Sequence, residues 1–208
     1  ILSAFADGEA DILLGTQMIV KGHDFPAVTL VGILAADMSL FAGDYRAAER
    51  TFQLLTQAAG RAGRGDMPGE VVIQTYQPEH YSIVHASSQD YEGFYEEEIL
   101  YREIGLYPPA AHMLAVLVTG KEQEAAKNLA KELADMARRR EERSRLSVLG
   151  PGEAFLSKLN DSYRYIFYMK SGDEKVLAKL RDEMEDHIQT LQNRSEQVQF
   201  DVDPIHGY

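Results

Sequence analysis

Two consecutive prolines, Pro108 and Pro109, stand near the middle of this chain, and any fold it adopts must respect the break they impose. Proline fixes φ, lacks an N–H and drives the preceding residue out of the helical region. A helical pattern arriving at Tyr107 therefore ends there, which sets a domain boundary between residues 1–106 and 107–208. The two sides also differ in charge, with 6 basic and 16 acidic side chains before the boundary and 15 and 17 after it. The formal net charge of −12 excludes a chain that grips nucleic acid over its whole surface, because such affinity comes from neutralising phosphates with Lys and Arg.

At 208 residues and 45% apolar content there is material for two ordinary cores. No run approaches the roughly 18 consecutive apolar residues of a membrane span, and the N-terminus has no charged-then-apolar leader pattern. With no cysteine there is neither a disulfide nor a thiolate metal site, and the six histidines form no metal pair at helical spacing. These features predict a soluble, cytosolic chain with no membrane partner. Ile1 opens the sequence without a methionine and leads quickly into a buried-looking run, so a piece of a longer protein is expected.

Before the prolines, Asp11-Ile12-Leu13-Leu14, Val28 to Ala35 and Val71 to Thr75 have the apolar content of strands, the first two buried on both faces. A short helical turn over Met18 to Lys21, stopped by Gly22, connects the first pair. Ala47 to Ala62 has helical spacing with Phe52, Leu55 and Ala59 on its packing face. The pattern predicts an α/β fold with a parallel sheet, whose ligands lie outside the carboxyl ends of the strands, where Thr16, Gln17 and Asp37 fall. Tyr91 to Ile104 forms an acidic connecting helix with Phe94, Ile99 and Leu100 as packing residues.

Beyond the prolines the pattern runs strand (Met113 to Val118), helix (Glu122 to Arg143), strand (Leu146 to Leu149), strand (Tyr163 to Lys170), helix (Asp173 to Asn193) and strand (Val198 to Val202). This β-α-β-β-α-β order predicts a small α+β domain, an antiparallel sheet with both helices on one face, an arrangement that often serves as a binding module. Arg138, Arg139, Arg140, Arg143 and Arg145 crowd the end of the first of these helices. Phosphate binding and a benign interaction with the helix dipole both account for them.

The sharpest chemistry lies in Gln57-Ala58-Ala59-Gly60-Arg61-Ala62-Gly63-Arg64. As a helix, Gln57, Arg61 and Arg64 stand at i, i+4 and i+7 on one face, while Gly60 and Gly63 strip bulk from the next turn at about 1 kcal/mol each. Another backbone or a ligand is expected to approach there. One amide and two guanidinium forks suit a triphosphate. Thr16 offers a hydroxyl, in a glycine-containing loop, for a DNA phosphate. Asp24 suits a ribose hydroxyl, an arginine to be oriented, or a purely structural salt bridge. Lys21 and His23 add charge near phosphate or serve as a solvated lysine and a packing histidine. Asp44, Arg46, Glu49 and Arg50 alternate in sign, so an internal ion-pair network competes with DNA contact. Tyr163, Arg164 and Tyr165 combine rings and a cation that can stack bases and pair phosphates, but strand alternation puts Arg164 on the face opposite the tyrosines.

Leu14 to Pro26 resembles motif V, and Gln57 to Arg64 motif VI, of superfamily 2 helicases. Phe41 to Leu55, Tyr107-Pro108-Pro109, Val148-Leu149-Gly150-Pro151, Tyr163-Arg164-Tyr165 and Asp201-Val202-Asp203-Pro204 are similar, in order, to the PriA family of replication-restart helicases. The resemblance covers essentially the whole chain. It implies the latter part of a RecA-like second motor lobe followed by a DNA- and protein-binding domain, from an ATP-dependent 3′-to-5′ DNA helicase that remodels stalled forks and starts primosome assembly.

Under that resemblance Gly22, Asp24, Arg61 and Arg64 meet nucleotide, and Gln57, Arg61 and Arg64 act in ATP hydrolysis. Arg64 is the preferred arginine finger, a role worth about 10³–10⁵ in rate, although spacing does not separate it from Arg61. Thr16, Gln17 and Lys21 would hold the tracking strand, with Tyr163 and Arg164 contacting DNA in the second domain. ATP and Mg²⁺ would serve the intact protein, zinc would belong upstream of Ile1, and this fragment alone would bind none of them and be inactive. Implied partners are forked and single-stranded DNA, the single-stranded-DNA-binding protein and other primosome proteins, in the bacterial cytoplasm at nucleoid replication forks. Gly43 replaces the family's usual proline, and Ser157 to Asp161 is less basic than the family's stretch, which counts against a charge-driven DNA contact there. A RecG-like fork-reversal translocase and a non-enzymatic DNA- or protein-binding adaptor are the competing readings.

Overall fold

The computed structural model describes residues 1–16, 25–41, 43–63, 68–140, 146–191 and 195–207. The chain divides into two compact units, Ile1–Glu98 and Ile99–Tyr208.

The first unit runs α1 (Leu2–Ala6), β1 (Leu30–Ile33), a 3-10 helix (Ala36–Phe41), α2 (Ala47–Ala59), β2 (Glu70–Ile73), α3 (Tyr81–Ser88) and the start of α4 (Tyr91–Gly105). β1 and β2 pair in parallel, Leu30 against Glu70 through Ile33 against Ile73, as the α/β pattern predicted. Two expectations fail. Asp11 to Leu14 is not a strand, and Ile12 and Leu14 are each 85% exposed. Nor is β1 buried on both faces: Ile33 and Ile73 pack on the core while Leu30, Leu34 and Val72 face solvent. An apolar run signals burial, but a two-stranded sheet with helices on one side has only one face to bury.

The core on that face joins Phe52 and Leu55 of α2 to Ile83 and Ala86 of α3 and Phe94 of α4. Phe52 and Phe94 stack with centroids 4.2 Å apart and planes 7° apart, and Tyr81 lies 5.9 Å beyond Phe94. The Tyr81 hydroxyl donates to Glu98 at 2.6 Å, which satisfies a carboxylate that is itself buried. Ala58 rather than Ala59 completes the packing face of α2, and Leu100 of α4 faces solvent.

The second unit is the expected β-α-β-β-α-β: β3 (His112–Gly120), α5 (Gln123–Arg138), β4 (Leu146–Leu159), β5 (Ser162–Ser171), α6 (Glu174–Thr190) and β6 (Gln197–Val202). The strands form an antiparallel sheet in the order β4-β5-β3-β6. Ala126, Leu129, Ala130, Leu133, Ala134 and Ala137 recur at helical spacing and seat α5 on the sheet. α6 does the same through Leu177, Leu180, Met184 and Ile188. Both helices meet Leu114, Val116, Val118, Tyr165, Phe167 and Met169 in one core. The opposite face is also closed, with Ala115, Leu117 and Ile166 under Ala154 of β4. Burial on both faces explains why Met113 to Val118 is an unbroken apolar run.

β4 extends ten residues beyond the expected Leu149, because Gly150 and Pro151 interrupt the apolar alternation without ending the strand. Where α5 ends, Arg138 donates to Asp135 at 2.8 Å and to the Gly150 carbonyl, and Arg140 pairs with Glu183 at 2.8 Å. These two arginines thus have structural partners; Arg143 and Arg145 lie outside the described residues.

Candidate functional site

The helix that carries Gln57 stops sooner than its sequence suggests. α2 ends at Ala59 with Gly60 as its cap, and the Arg61 and Ala62 amides bond back to Ala58 and Ala59 in a tightened last turn. Gly63 then turns the chain at φ +70°. The expected single stripe is therefore broken: Gln57 is on the helix, Arg61 is on the turn after it, and Arg64 lies outside the described residues. The cause is the glycine pair, which favours termination over continued helix.

The two glycines differ in what they require. A Cβ on Gly63 would come within 2.6 Å of the Gly69 nitrogen, so the close approach expected there is made by the chain's own backbone. A Cβ on Gly60 would meet nothing nearer than the Thr56 carbonyl at 3.5 Å, an ordinary contact, so no crowding requires glycine there.

The Gly63 amide donates to the Val28 carbonyl at 3.0 Å, and Glu70 donates to Thr29 at 2.7 Å. The Arg61 turn is thereby fastened at the amino end of the β1–β2 pair. Gln57 is exposed, whereas the Arg61 Nε is shielded from solvent. A primary amide and a guanidinium are both residue types that can donate to an anionic oxygen, and the guanidinium's charge also suits the negative end of a helix.

Asp37 lies at the other end, past the carboxyl end of β1. It is 2% exposed, and its Oδ1 accepts no hydrogen bond among the described residues. Ala35 beside it has φ +49°, held by its amide donating to Gln74 Oε1 at 2.6 Å. Of the expected rim, Asp37 falls past the carboxyl end of a strand, Thr16 is exposed and follows no strand, and Gln17, Lys21, Gly22, His23 and Asp24 lie outside the described residues.

The alternating charges before and within the first turn of α2 form an internal network. Arg50 pairs with Asp44 at 2.6 Å, Arg46 grips Glu49 through two nitrogens at 2.6 and 2.9 Å, and Gln53 donates to Glu49 at 3.1 Å. The Glu49 hydrogen bond holds the Arg46 guanidinium above its ordinary pKa. Of the two readings, the structural one accounts for all four charges.

In the second unit Tyr163 packs against the core beside buried Tyr165, with the Lys158 ammonium 5.1 Å from the Tyr163 ring centroid. Arg164 points to the other face, and its Nη1 donates to the Leu156 carbonyl at 3.0 Å. The sequence reading missed Phe155 and Leu156, which project from β4 at 86% and 54% exposure. An aromatic followed by a leucine after the glycine-proline break was the available signal.

A parallel α/β unit with a Gln/Gly/Arg turn between α2 and β2, followed by a split β-α-β module, fits one class: part of a helicase-type motor with an appended domain. Residues 1–66 match the helicase conserved C-terminal domain family, and residues 103–205 match the primosomal protein N C-terminal domain family. The replication restart protein PriA of Bacillus subtilis (strain 168) is 42% identical over 205 residues, covering 98% of this chain and 25% of that protein. Those of Chlamydia muridarum and Synechocystis sp. are 38% and 37% identical over 99% of this chain and 27% and 24% of the relatives. The chain belongs to the PriA family of replication restart proteins. It spans about a quarter of the length of the relatives it matches.

Proposed function

We propose that this chain is part of an ATP-dependent 3′-to-5′ DNA helicase that recognises and remodels stalled replication forks and starts primosome assembly. The observation that carries the reading is the Arg61 turn, fastened by the Gly63–Val28 bond at the amino end of the parallel strand pair and set beside an exposed Gln57. The residue types suit a phosphate: a primary amide can donate one N–H, and a guanidinium can donate two in a plane. Bound with Mg²⁺, ATP supplies the phosphoryl transfer that drives such a motor. This chain's own residues contribute positioning and charge: Arg61 and Arg64 approach the terminal phosphate, Gln57 fixes its orientation, and Asp24 and Gly22 line the nucleotide side. The remaining phosphate contacts and any zinc belong to parts of the protein outside this chain. Thr16, Gln17 and Lys21 contact the tracking strand.

The second unit binds forked or single-stranded DNA through Tyr163 and Arg164 and contributes to docking of the single-stranded-DNA-binding protein and other primosome proteins. Among the described residues no helix is long and apolar enough to cross a membrane, and the proposed site of action is the fork in the bacterial cytoplasm. The test is steady-state ATPase of the intact protein with and without forked DNA, beside the 208-residue chain. DNA-stimulated turnover by the intact protein and none by the chain alone is expected. DNA binding without turnover in the intact protein would replace the motor by a non-enzymatic adaptor.

A further inference from the structure

β4 and β5 form a ribbon whose turn, Asn160-Asp161, has both residues at positive φ, the geometry of a tight two-residue hairpin. Lys158 pairs with Tyr163 next to that turn, and Glu153 pairs with Tyr165 further down. Between those pairs β4 holds residues 154–157 while β5 holds only Arg164, so β4 bulges outward. Ala154 is buried at the base of the bulge, and Arg164 braces its crest through the Leu156 carbonyl. The product is an aromatic ring, Phe155, 86% exposed on a fixed strand instead of a loose loop.

An isolated exposed leucine needs no explanation. A phenylalanine lifted into solvent by a braced bulge does. Its surroundings are near neutral in an acidic chain: from Glu153 to Arg164 there are two cations, Lys158 and Arg164, and two anions, Glu153 and Asp161. Asp161 lies 3.5 Å from Lys158, at 95% side-chain exposure. An exposed ring on a ribbon with no net charge, too little to bind by phosphate neutralisation alone, suits an unpaired base: every base has a π-face, and stacking needs no sequence match.

We propose that Phe155 is a base-stacking residue for single-stranded nucleic acid, presented by the Arg164-braced bulge and aided by Lys158. The inference rests on the proposed DNA binding of this unit and deepens it to a residue that no sequence motif marked. The test uses the intact protein and a fluorescent oligo-dT, with anisotropy titrations at several salt concentrations for wild type, Phe155→Ala, Phe155→Leu, Phe155→Trp and Lys158→Gln, and thermal melts as a folding control. Stacking predicts that Phe155→Ala weakens binding about five- to 150-fold with an unchanged salt slope, that Leu behaves like Ala, and that Trp restores affinity. Lys158→Gln should instead lower the log–log salt slope by about 0.7. Unchanged affinity for Phe155→Ala in a wild type that binds would overturn the stacking role and leave DNA binding by the intact protein standing. Full rescue by Leu would overturn it in favour of an apolar protein partner. Failure of wild type to bind oligo-dT at all would remove the underlying DNA-binding reading as well.

Discussion

The Arg164 guanidinium donates to the Leu156 carbonyl at 3.0 Å, reaching across the ribbon from β5 to the bulge in β4. The bond satisfies a carbonyl that the displaced strand no longer pairs, so the residue chosen from sequence as a DNA contact has a demonstrable structural task. Arg164→Met should lower stability by about 0.5–1.5 kcal/mol, near the low end because the site is exposed. Amide exchange at residues 154–157 should accelerate while the α5–α6 core stays protected, which hydrogen-exchange mass spectrometry reads directly.

Gly63 and Gly60 make opposite predictions although they lie three residues apart. Gly63→Ala forces a side chain into a left-handed turn and against Gly69, so the Arg61 turn must shift. In the intact protein this should cut DNA-stimulated ATPase at least tenfold, a loss of about 1.4 kcal/mol in transition-state stabilisation. Gly60→Ala meets only ordinary contacts at φ −66° and should leave turnover near wild type.

His80 caps α3 by accepting the Ser82 amide on Nδ1 at 3.3 Å and stacks on Tyr81 with centroids 4.7 Å apart. Burial holds its pKa below the ordinary 6.5, against the opposing pull of Glu97 and Glu98. The unfolded chain then binds the proton more readily, so the contribution of this group is complete above about pH 6.5 and is lost as pH falls through the depressed value. Protonation also removes the Nδ1 acceptor. Urea melts between pH 5 and 7.5 should show stability of the first unit dropping on acidification, and His80→Asn, which keeps a cap without titrating, should flatten that slope.

Phe94 is the hinge of the first unit's aromatic stack, 4.2 Å from Phe52 and 5.9 Å from Tyr81. Phe94→Ala should cost about 3–5 kcal/mol and Phe94→Leu distinctly less, measured as a shift in the denaturation midpoint of the first unit.

How much was legible in the sequence depended on what each signal reports. The second unit was readable element by element, because α5 and α6 keep one apolar stripe and β3 is buried on both faces. Of the three apolar runs taken for strands in the first unit, one misled: Ile12 and Leu14 are as apolar as Val31 and Ile33 but have no pairing partner among the described residues. α3 was missed because eight residues with Ser82, Ser87 and Ser88 give little periodic signal, and its placement depends on Phe94 and Phe52. At the candidate site the residue types of the motif were readable, but the end of α2 at Ala59 was not, because Gly63 acts through backbone freedom, at φ +70°, that a helical wheel ignores. Phe155 was hidden by a bulge, a feature set by the mismatch between two strands and not by either sequence alone.

The central claim is that the Gln57–Arg64 segment is half of an ATP site. The direct measurement is single-turnover ATP hydrolysis by the intact protein on forked DNA for wild type, Arg61→Ala and Arg64→Ala, with nucleotide affinity determined separately. A fall of about 10³-fold or more for at least one arginine, with ATP still bound, is the expected result. Near-normal turnover in both variants would contradict the claim and leave the segment as a turn held in place by Gly63 and Val28.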